Sequence, residues 1–213
     1  MSTPLLHRRT FSAAAAVAAL AVATFAGSGS AGSDSRVPAT FVGDSVAASI
    51  AYTPRAQAVL ARGLSVRLDM RVCRRLVTVG CPYQGSVPTN ALQAVQSVGR
   101  SLGDVLIVYV GYNESAAGYG KGIDRIMRAA LRQGATGVVW VTLREERNIY
   151  RETNVAIRTA AKRWPRLQVA DWNAYSDGKP WFSSDGLHMS ATGAQALALF
   201  LRPFTLSARP RNR

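Results

Sequence analysis

The sequence predicts an α/β protein: a three-layer α/β/α sandwich around a central parallel sheet of about five strands. Three observations lead there. Short apolar runs alternate with longer helix-like stretches along most of the chain. Two of the runs, 104–110 and 137–143, are apolar almost throughout, as expected of strands covered on both faces. Without its N-terminal segment the chain has roughly 170–180 residues, which suits one domain with a single buried core.

That N-terminal segment, 1–31, reads as a secretory signal peptide. Arg8 and Arg9 lead into a charge-free run, 10–33, whose centre, 13–26, is alanine-rich and apolar. A short apolar run behind basic residues and ending in small ones fits such a signal, and it is short for a membrane span. Ala26 and Ala31 offer cleavage points, and Arg8-Arg9-Thr10-Phe11 also resembles a twin-arginine signal. The expected location is therefore secreted or cell-envelope. Residues 32–37 read as a linker, 38–204 as the folded domain, and 205–213, rich in arginine, as a basic disordered tail.

Within the domain, 37–42 is a short run with β-branched residues and reads as the first strand, followed by a helical pattern over 46–62. Residues 64–72 alternate as a half-buried strand does. After a loop holding both cysteines, 89–102 is helix-like, 104–110 is the third strand and 123–133 the next helix. Then come strand 137–143, helix 149–163, strand 167–171 and a closing amphipathic helix over 190–201. Strand and helix units of this size imply a parallel sheet between two helical layers.

The formal charge is +14, and removing Arg8 and Arg9 with the signal leaves it strongly positive. Such a surface favours anionic neighbours. An exported chain with no nucleic-acid-binding motif is not expected to bind nucleic acid; peripheral contact with an anionic envelope fits better. Arginine enrichment also follows from composition bias alone, and both readings stay open. A monomer is expected. Cys73 and Cys81 are the only cysteines. Two thiols and one mature-chain histidine do not make an ordinary structural zinc site, so no metal is expected. In an exported protein the pair reads as a disulfide closing a short loop. A catalytic cysteine is the alternative, although neither has the Gly-Asp-Ser setting of Ser45.

The chemistry-bearing residues stand at strand ends. The chain has two histidines, and His7 falls in the signal, leaving His188. Asp185 precedes it by one turn, and positions i and i+3 share a face, so the carboxylate can hold Nδ1 and leave Nε2 free as a base. Gly43-Asp44-Ser45 supplies a serine after the first strand, and Asn113 follows the third in Gly111-Tyr112-Asn113-Glu114. In parallel sheets ligands bind at the carboxyl ends of the strands, so these segments open onto one rim. Ser45 is also expected at a helix N-terminus, where amides favour negative charge.

With these three motifs in order on an alternating pattern, the chain resembles the SGNH (GDSL-type) serine hydrolases over about residues 39–203. The α/β-hydrolase elbow does not fit, because Ala47 stands where its second glycine belongs. The resemblance implies a flavodoxin-like sandwich, no cofactor, and a triad of Ser45, His188 and Asp185 that forms an acyl-enzyme. It also implies an oxyanion hole built from the amides of Ser45 and Cys73 and the Asn113 side chain. The family's second motif carries a glycine after strand two; here the region reads Arg71-Val72-Cys73-Arg74-Arg75, so Cys73 must supply that amide with a permitted φ. Glu114 replaces an aspartate that holds loop geometry. Gly118, Gly120 and Gly122 do not make a phosphate loop and read as a flexible lid or loop.

Within the superfamily, Asp171-Trp172-Asn173 and Trp181-Phe182 resemble exported domains acting on acetyl esters of envelope polysaccharides, including peptidoglycan O-acetyltransferases. The expected function is hydrolysis of carboxylic, O-acetyl esters on a small molecule or an envelope polysaccharide. Acyl transfer, lipid-ester hydrolysis and a non-catalytic envelope-binding module are the alternatives. Trp181 and Phe182 either line a pocket or pack the loop.

Overall fold

The computed structural model describes residues 36–209. The expected signal at 1–31, most of the expected linker and residues 210–213 lie outside that range. Five strands form one wholly parallel sheet in the order β2-β1-β3-β4-β5. They are β1 (Val37–Gly43), β2 (Leu64–Met70), β3 (Val105–Tyr109), β4 (Gly137–Val141) and β5 (Leu167–Ala170). The two runs that read as doubly covered, β3 and β4, are buried at every position. β2 is an edge strand and only half-buried.

Adjacent residues of a strand point to opposite faces, and the core divides accordingly. Phe41, Ile107 and Val139 pack on one side with residues of α1 (Ala48–Ala51), α2 (Pro54–Leu60) and α7 (Ala191–Ser207). Val42, Leu106, Val108 and Val138 pack on the other with α3 (Ala91–Val98), α4 (Tyr119–Arg132) and α5 (Asn148–Arg163). This is the predicted three-layer sandwich. A single-turn helix, α6 (Trp172–Tyr175), follows β5.

The helices depart from expectation where backbone chemistry intervenes. The predicted helix over 46–62 is two helices, because Pro54 lacks an N–H and forces the residue before it out of the helical region; Thr53 is extended at φ −118°, ψ 96°. The stretch 89–102 holds α3, started by an Asn90–Gln93 capping box, and then a 3₁₀ turn, Gly99–Leu102. The glycine-rich segment is not a lid. Gly118 caps α4 at φ +76°, and Gly120 and Gly122 are already inside that helix. Gly122 lies against Leu76, whose Cδ2 would stand 2.8 Å from an added Cβ, so its lack of a side chain lets α4 press on the cysteine loop.

The last helix also runs further than expected. α7 continues through Pro203 to Ser207, and Thr205 and Ala208 are buried. A proline inside a helix costs about 3 kcal/mol. Here the packing of Leu201, Thr205 and Ala208 outweighs it, with Ala208 against Gly137 at the start of β4. Residues 205–207 therefore belong to the folded domain.

Chain order places the site. From β1 the sheet grows to β2 on one side and to β3 on the other, so a crevice opens at the carboxyl ends of β1 and β3, where such sheets bind ligands. Gly43 is in register with both Met70 and Tyr109, which levels the loops that follow these strands.

Candidate active site

The turn carrying Ser45 is held from below. Gly43 has no space for a side chain: an added Cβ would lie 2.4 Å from Ala47 Cβ and 2.5 Å from Met70 Sδ. Asp44 is completely buried. Its Oδ1 accepts from Val46 N at 3.0 Å, and its Oδ2 from Gly111 N at 3.0 Å and Tyr112 N at 3.2 Å. One carboxylate thus ties the loop after β1 to the loop after β3. Burial pushes its pKa up to about 6, against the opposing pull of these amides. Ser45, on top of this turn, is part-exposed. The helix that follows, α1, is only four residues long, so the helical dipole at Ser45 is that of a single turn rather than of the long helix expected.

Ser45 Oγ stands 3.1 Å from His188 Nε2, and His188 Nδ1 stands 2.5 Å from Asp185 Oδ2. The Asp185 Oδ1 atom accepts from Leu187 N at 2.9 Å, His188 N at 2.9 Å and Ser183 Oγ at 2.8 Å. Slight desolvation would raise the Asp185 pKa, but the hydrogen bonds from the His188 ring and then from these groups hold it well below the usual carboxylate range. The residues between strand five and the last helix therefore present an ionised carboxylate to the ring, as the i, i+3 spacing predicts.

A second set of contacts fixes this segment from outside. The Arg144 guanidinium, just after β4, donates to the Gly186 carbonyl and pairs with Glu146. It also lies over the Phe182 ring, 4.1 Å from the centroid. Phe182 bridges to Met189, and Ser183 N donates to His188 O at 2.8 Å. Trp181 stacks on the buried Trp172 at 5.7 Å. Both aromatics thus pack the loop that carries Asp185 and His188. Sequence reasoning did not single out Arg144; Gly186 and Phe182 are remote from it in the chain, and only the fold brings them together.

The cysteine loop completes the rim. Cys73 and Cys81 are bonded, with Cα atoms 5.1 Å apart, and Cys81 N donates to Cys73 O at 3.3 Å. Cys73 has φ +62°, the left-handed conformation that ordinarily favours glycine. The residue expected in place of the family's glycine thus keeps a glycine-like backbone. Below it, the fully buried Arg74 donates to Asp69 O at 2.6 Å, Asp69 Oδ1 at 2.9 Å and Thr89 O at 3.0 Å. Burial lowers its pKa, while Asp69 works the other way. Asn113 Nδ2 donates to Arg74 O at 3.2 Å, Arg75 Nε donates to Asn113 O at 2.7 Å, and Glu114 accepts from Leu76 N at 2.7 Å. The loops holding Cys73 and Asn113 are therefore laced to each other. Glu114 does hold loop geometry, and burial raises its pKa to about 7. Nothing in the sequence singled out Arg74 or Arg75, because a buried guanidinium leaves no local pattern.

No family model matches the sequence, and no curated protein matches it. Solved structures do match. A protein from Agrobacterium tumefaciens assigned as an arylesterase aligns with a TM-score of 0.64 at 14% identity, over 81% of this chain and 99% of that one. A carbohydrate acetylesterase family member from Sinorhizobium meliloti gives 0.60 at 14% identity, over 80% and 98%. The family 3 carbohydrate esterase of Clostridium thermocellum gives 0.53 at 16% identity, over 80% and 96%. At such identities the likeness is one of fold, and at that level the resemblance drawn from the three motifs holds.

Proposed function

We propose that the protein is an extracytoplasmic serine hydrolase that cleaves carboxylic esters, O-acetyl esters of envelope polysaccharide or another carbohydrate being the expected substrates. The observation that carries this reading is the continuous line from Ser45 Oγ to His188 Nε2 and from Nδ1 to Asp185. Such a line lets the ring accept the serine proton while the carboxylate stabilises the imidazolium. Ser45 Oγ then bonds to the ester carbonyl carbon, the alkoxide leaves with the proton carried by His188, and water hydrolyses the acyl-enzyme by the reverse proton path. The amides of Ser45 and Cys73 and the Asn113 side chain are the oxyanion donors in this scheme; losing one such donor costs about 10²–10³ in rate. The Cys73–Cys81 bond supports an oxidising compartment, in keeping with the signal read at 1–31.

Covalent labelling tests the assignment. A fluorophosphonate should label the wild-type protein on Ser45 and leave Ser45→Ala unlabelled. Equal labelling of the variant would move the nucleophile to another serine and remove the basis of the proposal.

A further inference from the structure

At the edge strand β2 the surface carries aromatic and cationic groups that neither the core nor the triad uses. Two clefts, of about 440 and 730 Å³, lie along the edge strand β2 and share Tyr52, Met70 and Arg71 as a common wall; both are of ligand-pocket size. Neither is lined by Ser45, Asp185 or His188, and both reach toward the site through the segments that flank it. Tyr52 closes the short helix that follows Ser45, and Met70 is in register with Gly43 just before it. Arg71 and Val72 lead directly into Cys73.

The groups in this groove are held ready. Tyr52 is 75% exposed with its amide bonded to Ala48 O, and Tyr83 is 45% exposed on a tight hairpin closed by reciprocal bonds with Ser86. Tyrosines on ordered backbone offer large ring faces at little entropic cost. Asp69 is engaged by the buried Arg74 at 2.9 Å, while Arg71 approaches the same oxygen only to 3.7 Å and keeps 62% of its side chain exposed. With Asp69 taken by Arg74, the exposed Arg71 guanidinium is left to face a planar carboxylate, a partner it binds through two parallel hydrogen bonds. Arg67 and the hydroxyls of Ser97 and Ser101 line the farther cleft. An acyl chain laid there would desolvate those polar groups without replacing their hydrogen bonds.

We propose that this groove binds a carboxylate-bearing polysaccharide, with sugar faces on Tyr52 and Tyr83 and a sugar carboxylate on Arg71, next to the unit whose ester meets Ser45. The proposal rests on the esterase reading for the role of Ser45, and its test does not depend on turnover. The Ser45→Ala protein is titrated calorimetrically at physiological salt with an oligogalacturonate, with a neutral oligosaccharide of equal length and with polyglycerol phosphate. Oligogalacturonate should bind most tightly, and adding Tyr52→Ala or Arg71→Gln should weaken it about tenfold, near 1.4 kcal/mol. Arg132→Gln, which removes the same charge from the exposed end of α4, should leave it unchanged. Equal weakening by Arg132→Gln would reduce the effect to net charge. Preference for polyglycerol phosphate or the neutral sugar, or indifference to Tyr52→Ala and Arg71→Gln, would overturn the proposal. A failure here with intact Ser45 labelling leaves the esterase standing; loss of labelling with binding retained does the opposite.

Discussion

Asp185 spends one oxygen on its own loop and one on the histidine. Because Oδ1 is occupied by two amides and a hydroxyl, Oδ2 has a fixed direction toward Nδ1. Asp185→Asn should preserve the fold and lower kcat/KM on p-nitrophenyl acetate about 10⁴-fold, since the ring loses its preferred tautomer. His188→Ala should be at least as harmful, and the double variant little worse than His188→Ala, because the residues act as a unit; losses that multiply would separate them. Arg144 acts through Gly186 rather than on substrate, which makes it a positioning residue. Arg144→Met should lower kcat on the same small ester about tenfold, within the range for a displaced catalytic group, while KM stays near wild type and Arg144→Lys restores part of the loss. A fall in thermal stability without that kcat–KM split would make Arg144 merely structural. The spacing of Asp185 and His188 made that pair legible, whereas Arg144 meets its partner across 42 residues and is invisible to local pattern.

Strands read well because nearly continuous apolar runs leave few alternatives; β3 and β4 match their predicted runs to within a residue or two. Helix ends read less well. Periodicity alone carried 46–62 across Thr53-Pro54, and the glycines of α4 disguised its first turn, where close packing on Leu76 rather than propensity decides. The cysteine loop combines both lessons: the bond was legible in the pair, the left-handed backbone at Cys73 was not. Two variants separate these features. Removing the bridge costs about 2–3 kcal/mol on the chain-entropy model, and a non-glycine residue free to leave φ +62° gains roughly 1 kcal/mol by doing so. Cys73→Gly/Cys81→Ser should therefore retain several-fold more kcat than Cys73→Ala/Cys81→Ser at equal Tm. Equal kcat in the two would show that the backbone at residue 73 does not bear on turnover.

Across the whole domain, three loops separated by most of the chain open on one rim because they follow the carboxyl ends of parallel strands, and that convergence was legible from the alternation of strands and helices. What holds them together was not: a buried aspartate inside a motif reads as part of the motif, not as the joint between two loops. Its burial has a consequence for stability. With a pKa raised from 3.8 to about 6, folded Asp44 keeps a proton that the unfolded chain releases. Its contribution is therefore full below pH 4 and is lost as pH rises through 6, by about 3 kcal/mol at 1.36 kcal/mol per unit. Glu114, raised to about 7, acts in the same direction. Urea unfolding should thus show the margin of wild type over Asp44→Asn shrinking from pH 4 to pH 7. A margin that is constant or grows would mean the amides at Val46, Gly111 and Tyr112 outweigh desolvation.

The left-handed backbone at Cys73 puts a covalent tether where glycine would need none. A glycine takes up that shape wherever the chain is made, but a cysteine is secured in it only after two thiols have been oxidised. In a reducing compartment the newly made polypeptide would keep its serine, histidine and aspartate while one wall of the site stayed slack. For an exported protein, as proposed above, competence would then be conferred by arrival rather than by synthesis.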